Sequence, residues 1–233
     1  MKKILFALVI VFVIASMSFA ANSSTTRELF KAVKKESVTS RQINSLIKRG
    51  ADINAYDKEG ETPLMYAVRN NNYEAVKALI NAGVNVNAQA KSSGTTALML
   101  TGMPVMPGEE ALVKIIKALV KAGADLNMQD SSGETALILM CGGGSNPKIE
   151  TIKLFIEAGA DVNAANNAGQ TALMSIAANI WCEDSAKIAQ LLIDKGADPN
   201  AKDIDGNTVL YYAEDNDDEE VKKVLMRAMK NKI

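Results

Sequence analysis

Apolar residues return along this chain in pairs of short runs, each pair set off by a polar turn. Leu64, Ala67 and Val68 fall at helical spacing, and after a short polar break Ala75, Val76, Leu79 and Ile80 repeat it. Apolar positions at i, i+3 and i+4 predict two amphipathic helices side by side. Two marks bound the pair and recur together. One reads Gly50-Ala51-Asp52-Ile53-Asn54 and returns at Gly83-Val84-Asn85-Val86-Asn87, Gly123-Ala124-Asp125-Leu126-Asn127, Gly159-Ala160-Asp161-Val162-Asn163 and Gly196-Ala197-Asp198-Pro199-Asn200. The other follows each glycine by 12 or 13 residues: Thr62-Pro63-Leu64, Thr96-Ala97-Leu98, Thr135-Ala136-Leu137, Thr171-Ala172-Leu173 and Thr208-Val209-Leu210. Linked signals with a period of 33 to 40 residues predict a solenoid of stacked units.

The marks are helix punctuation. Each threonine stands where an N-cap belongs, its hydroxyl placed to accept an orphan backbone N–H of the first turn. Pro63 falls at the first helical position, where its missing N–H costs nothing. Each glycine sits where the second helix ends and a left-handed backbone is needed. Between glycine and the next threonine runs a polar excursion such as Asp52 to Glu61, rich in the Asp, Asn and Gly of a hairpin-like turn.

These residues resemble the ankyrin repeat, with its Thr-Pro-Leu-His helix start and Gly-Ala-Asp-hydrophobic-Asn exit, over about residues 27 to 233. The resemblance implies an all-α fold, an ankyrin-repeat solenoid of stacked helix pairs with β-hairpin-like finger loops. Four central repeats (55–87, 88–127, 128–163 and 164–200) would lie between capping repeats at 21–54 and 201–233. The chain has no histidine, and the fourth position of the helix start holds Met65, Met99, Ile138, Met174 and Tyr211. Apolar packing is expected to replace the family's histidine bonds. Met140 and Ile176 stand where the family has a small residue. The resemblance also implies a concave groove, into which the residue after the tetrad points. Here those residues are Tyr66, Leu100, Leu139, Ser175 and Tyr212, with Arg69, Asn70 and Asn179 nearby. These eight form the expected partner-binding set. Fingertips at Lys58, Ser92, Ser131, Asn167 and Asp205 would give it a polar rim.

Repeat lengths differ in one place. From threonine to the next motif glycine is 21 residues in the first central repeat (Thr62 to Gly83), then 27, 24 and 25. The extra residues fall between the paired helices: 102–108, 142–147 and 179–184. They should line one edge and bring out Met103, Met106 and Trp181. Insertions confined to one face often mark a binding face, although surface loops also lengthen at little cost.

Composition and charge add a compartment. Lys2 and Lys3 precede an apolar run from Ile4 to Ala15, and Ser18 and Ala20 place small residues before Ala21. The run is shorter than the ~20 residues of a membrane span and reads as an export signal cut after Ala20, leaving no membrane segment. The protein is then expected in the periplasm or outside the cell. Without those two lysines the chain carries 24 basic and 27 acidic residues, which argues against a nucleic-acid partner. Basic residues at Arg27, Lys31, Lys34, Lys35, Arg41, Lys48 and Arg49 suit a solvated capping face. At the other end, acids from Glu214 to Glu220 precede a helix with later lysines, complementing its dipole.

Candidate chemistry is sparse. With no histidine, a Cys–His or Ser–His–Asp nucleophile is excluded. Cys141 and Cys182 lie in adjacent repeats; an oxidising compartment favours a bridge, and the ~8–10 Å between packed helices opposes one, so a disulfide stays open. Met99, Met103 and Met106 suggest soft thioether ligation of copper(I). Met65, Met99 and Met174 share one repeat position, which argues packing instead. Asp203-Ile204-Asp205-Gly206-Asn207 resembles a calcium loop but has Tyr212 where the closing glutamate should stand. No cofactor or metal site is expected. The sequence therefore reads as an exported, monomeric, non-enzymatic protein–protein interaction module, modulating or inhibiting a periplasmic enzyme. Copper handling through methionine and cysteine is the alternative.

Overall fold

The computed structural model describes residues 23–35, 37–103, 109–142, 146–214 and 218–231. The export signal and Met106 lie outside the described residues. Helices α1 (23–33) and α2 (Ser40–Lys48) open the stack. Then follow α3 (Pro63–Arg69), α4 (Tyr73–Asn81), a 3-10 turn (Met99–Gly102), α5 (Glu109–Lys121), α6 (Ala136–Gly142) and α7 (Ile149–Glu157). The chain continues with α8 (Ala172–Ala178), α9 (Ser185–Asp194), α10 (Val209–Tyr212) and α11 (Glu219–Asn231). First helices pack on first helices: α3 on the 3-10 turn, the turn on α6, α6 on α8, α8 on α10. Second helices form the outer layer, α2 on α4, α4 on α5, α7 on α9 and α9 on α11. One continuous apolar core runs between the layers, filled by aliphatic side chains and Phe155.

The caps form as their chemistry dictates. Thr62, Thr96, Thr135 and Thr171 each accept a backbone N–H three residues on, at 3.3–3.4 Å. Thr208 makes no such bond, and α10 is a single turn. The residues that replace histidine do more than fill space. Met65 and Met99 are 1% exposed, and each sulfur accepts the N–H of its threonine at 3.3 Å. The thioether thereby closes a capping box that Glu or Gln usually completes. Met140 and Ile176 are both buried in the core.

The motif's last residue staples one repeat to the next. Oδ1 of Asn54, Asn87, Asn127 and Asn163 each accepts a backbone N–H of the following motif at 2.8 Å. The amides of Asn87, Asn127 and Asn163 also donate to the next motif glycine's carbonyl. Fingers are linked likewise, with the N–H of Lys91, Ser131, Asn167 and Ile204 donating to the finger before. Gly133 shows why the tips need glycine. Its φ is +77°, and a Cβ there would lie 2.6 Å from the Asn167 nitrogen that the stacking uses. The fingers are turns, two of them closed within themselves by an isolated bridge, Gln89–Thr96 and Ala165–Thr171, without strands among the described residues.

One element departs from expectation. The first helix of the second central repeat is only the 3-10 turn. The Thr101 hydroxyl donates to Leu98 O at 2.6 Å, and Met103 is extended, as a residue before Pro104 should be. Gly102 lies so close to α6 that a Cβ would sit 2.6 Å from Met140 N. Leu100 is consequently core, 5% exposed, and leaves the groove set. At the end of the chain, α11 begins with Glu219 and Glu220 and carries Lys230 in its last turn, as the dipole favours.

Candidate functional site: a concave groove

The near end of the groove is closed on itself. The Tyr66 hydroxyl donates to Asp57 Oδ2 at 2.8 Å, and its ring meets Phe30 edge-on with centroids 6.2 Å apart. Lys34 Nζ lies 4.2 Å from that ring and 3.0 Å from the same carboxylate oxygen. Arg69 donates through both terminal nitrogens to the two oxygens of Glu61, Nη1 to Oε2 at 2.6 Å, with its guanidinium 5.5 Å from the Tyr66 ring. Burial alone would raise the Asp57 carboxyl. The Glu61 N–H, the Tyr66 hydroxyl and Lys34 outweigh it and hold the group at about 2. Burial and the Asp57 carboxylate together push the Tyr66 phenol up to about 12. Beside this cluster a hollow of about 820 Å³ opens between α1 and the first finger, floored by Phe30 and Tyr56.

At the far end the same device recurs. The Tyr212 hydroxyl donates to Asp203 Oδ2 at 2.5 Å and accepts from Gln170 Nε2 at 3.0 Å. Between the two tyrosines lies a pocket of about 290 Å³. Leu139, Ser175, Asn179 and Tyr212 of the expected set line it, with Glu134, Gln170 and Gly142. Glu134 and Gln170 were not anticipated. Each immediately precedes the threonine of the recurring helix-start mark, as Glu61 and Asn207 do, so position in the repeat was the signal available. Asn70 and Asn179 are structural rather than free for a partner. Asn70 Nδ2 donates to Val33 O at 2.8 Å, and the buried Asn179 donates to Cys141 O at 2.8 Å.

On the loop edge Trp181 is 69% exposed and Ile180 59%. Met103 is half-buried against the core. Cys141 and Cys182 are free buried thiols, so the bridge left open by the sequence is not formed. Burial pushes both thiols up, and Cys182 Sγ sits 3.7 Å from Pro147 O. Met99 cannot join a copper site with Met103 while its sulfur is buried against Thr96. Asp203 is likewise committed to its turn: Oδ1 accepts the N–H of Asp205 and Asn207 at 2.9 and 2.8 Å. Among the described residues no helix is long and apolar enough to cross a membrane.

Comparison with known proteins agrees with this geometry. The family model for ankyrin repeats matches in three copies, over residues 29–101, 108–203 and 146–233. The chain is 41% identical over 70 residues to the B-cell lymphoma 3 protein homolog of Mus musculus, a match spanning 30% of this chain and only 16% of that relative. An ankyrin repeat domain from Acinetobacter baumannii AYE superposes with a TM-score of 0.72 and 32% identity, covering 87% of this chain and 97% of that one. A chain in the structure of the predatory endopeptidase Bd0816 from Bdellovibrio bacteriovorus, in complex with immunity protein Bd3460, superposes with a TM-score of 0.68 and 26% identity. That match covers 85% of this chain and 96% of the other. With its motifs, its two helical layers and these matches in agreement, the chain belongs to the ankyrin repeat family.

Proposed function

We propose that the protein is an exported, non-enzymatic interaction module that grips one protein along its concave groove and modulates an enzyme in the compartment it enters. The observation that carries this reading is the pocket between Leu139, Ser175 and Tyr212. It joins apolar walls to a few fixed polar groups on a stack that needs no ordering to present them. A chain without histidine, whose two thiols are buried, offers no activated nucleophile at that pocket. The likeness to a structure of an endopeptidase with an immunity protein supports an inhibitor- or immunity-type role. Export rests on the sequence of residues 1–20. The exposed Trp181 and Ile180 favour a second contact on the loop edge, since exposed apolar surface clustered in one place marks interaction sites.

The test is capture from the exported fraction by the immobilised protein beside two variants. Ala178→Trp fills the pocket from an exposed helix position, and Trp181→Ala clears the loop edge. The captured protein is then purified, titrated calorimetrically and assayed for activity with and without the ankyrin chain. Binding lost from Ala178→Trp, together with a changed activity of the captured enzyme, supports the reading. Binding lost only from Trp181→Ala moves the contact to the loop edge. Failure of the unmodified protein to retain any protein refutes it.

A further inference from the structure

Internal repetition allows one repeat to say what another lacks. Glu61 and Glu134 hold the same place, immediately before the capping threonine. Eight residues after Glu61 stands Arg69, whose guanidinium forks onto both carboxylate oxygens. Eight residues after Glu134 stands Gly142. No side chain from 142 reaches Glu134: a Cβ there would already lie 3.0 Å from Ser175 Cβ, and the pocket that Gly142 and Glu134 both line stays open beside the carboxylate. Glu134 Oε1 accepts from Asn166 Nδ2 at 2.8 Å, and no cation pairs with the carboxylate among the described residues. The two carboxyls respond accordingly. Arg69 draws that of Glu61 down, whereas burial pushes that of Glu134 up.

The pocket's dimensions narrow the occupant. At about 290 Å³ it falls just below the about 300–1,000 Å³ of ligand cavities, so it suits one side chain better than a cofactor. Leu139, Met174 and Ala178 give an apolar wall for a methylene stem, and the Glu134 carboxylate is an acceptor for a planar, charged head. Ser175, whose hydroxyl oxygen would lie 3.4 Å from a Cβ at Gly142, adds a second acceptor. A lysine would meet the charge but not the two-oxygen geometry that Arg69 already shows on Glu61.

We propose that this pocket receives one arginine side chain of the partner, its guanidinium pairing with Glu134 as Arg69 pairs with Glu61. The inference rests on the groove being the partner-binding surface and names what that surface reads. An arginine supplied by another chain gives Glu134 the cation that residue 142 does not. The groove thus selects partners that present an arginine on a protruding loop or helix.

The test needs no knowledge of the partner. The protein, labelled with ¹³C in glutamate and ¹⁵N throughout, is titrated by NMR with N-acetyl-argininamide, and in parallel with N-acetyl-citrullinamide, which has the same shape and no charge. The expected result is a saturable shift of the Glu134 carboxyl signal and of the Gly142 and Ser175 amides with the arginine probe. The neutral probe should bind at least about tenfold more weakly, as loss of a charge-assisted hydrogen bond implies. Glu134→Gln keeps an acceptor for Asn166, and its spectrum reports that the fold is intact. It should weaken the arginine probe by a similar factor. Equal binding of the two probes overturns the inference. So does undiminished binding to Glu134→Gln, or a non-saturating drift at Glu134 no larger than that at the exposed Glu110. These failures would leave capture of a partner, and its loss from Ala178→Trp, as they stand.

Discussion

Asn127 offers the sharpest test of how the stack is held. Its Oδ1 accepts the Asp161 N–H at 2.8 Å, and its Nδ2 donates to Gly159 O at 3.2 Å. Asn127→Ala removes both bonds to the next repeat. It spares the turn within its own motif, because there Asn127 donates through its backbone N–H to Asp125 Oδ1 at 2.9 Å. A net hydrogen bond contributes about 0.5–1.5 kcal/mol, and the site is exposed enough for water to replace part of it. The pair is therefore worth about 1–2 kcal/mol. Asn200 is the internal control. It holds the same motif place and is also exposed, yet its side chain makes no hydrogen bond among the described residues. Asn200→Ala should stay within about 0.5 kcal/mol of the parent. In urea, with a slope of about 2 kcal/mol/M, Asn127→Ala should lower the midpoint by roughly 0.5–1 M while Asn200→Ala leaves it in place. Because stability in a solenoid is close to a sum of repeat and interface terms, the loss belongs to one interface. Equal shifts in the two variants would refute the stapling argument.

Other consequences follow from the caps, the carboxylates and the thiols. Thr171→Ala should cost about 1 kcal/mol in the same unfolding assay, and Thr208→Ala close to nothing, since only Thr171 accepts a cap bond. Asp57, held at about 2 against an ordinary 3.8, contributes stability that is present above pH 4 and lost as pH falls through 2. Asp57→Asn should flatten the acid limb of stability between those values, and an unchanged limb would contradict the pairing with Tyr66 and Lys34. Tyr66, pushed up to about 12, should ionise late in an absorbance titration at alkaline pH, and Asp57→Asn should bring its midpoint back towards 10. Cys141 and Cys182 should resist alkylation in the native protein and react together on unfolding, and fast labelling of either would contradict their burial.

The repeat punctuation was legible because each mark has one local cause: a threonine that caps, a glycine that turns left-handed, an aspartate or asparagine that closes a turn. What escaped the sequence depended on neighbours in space. Leu100 shares a motif position with Tyr66, but the extended residue before Pro104 and the close approach of Gly102 to Met140 shorten its helix and bury it. Asn179 and Asn70 are polar residues at groove positions, and only the stacked structure shows them spent on carbonyls of the preceding repeat. The thioether caps of Met65 and Met99 likewise depend on where the folded chain sets each sulfur against its threonine N–H. Glu134 was visible as a charged residue, but its meaning comes from comparison with the Glu61–Arg69 pair.

The central claim, that the inner face binds a protein, is tested most directly by amide hydrogen exchange on the protein alone and saturated with its captured partner. The account predicts new protection in α6, α8 and the fingers around Glu134 and Gln170, with α5, α7 and α9 unchanged. Protection confined to that outer layer would contradict it.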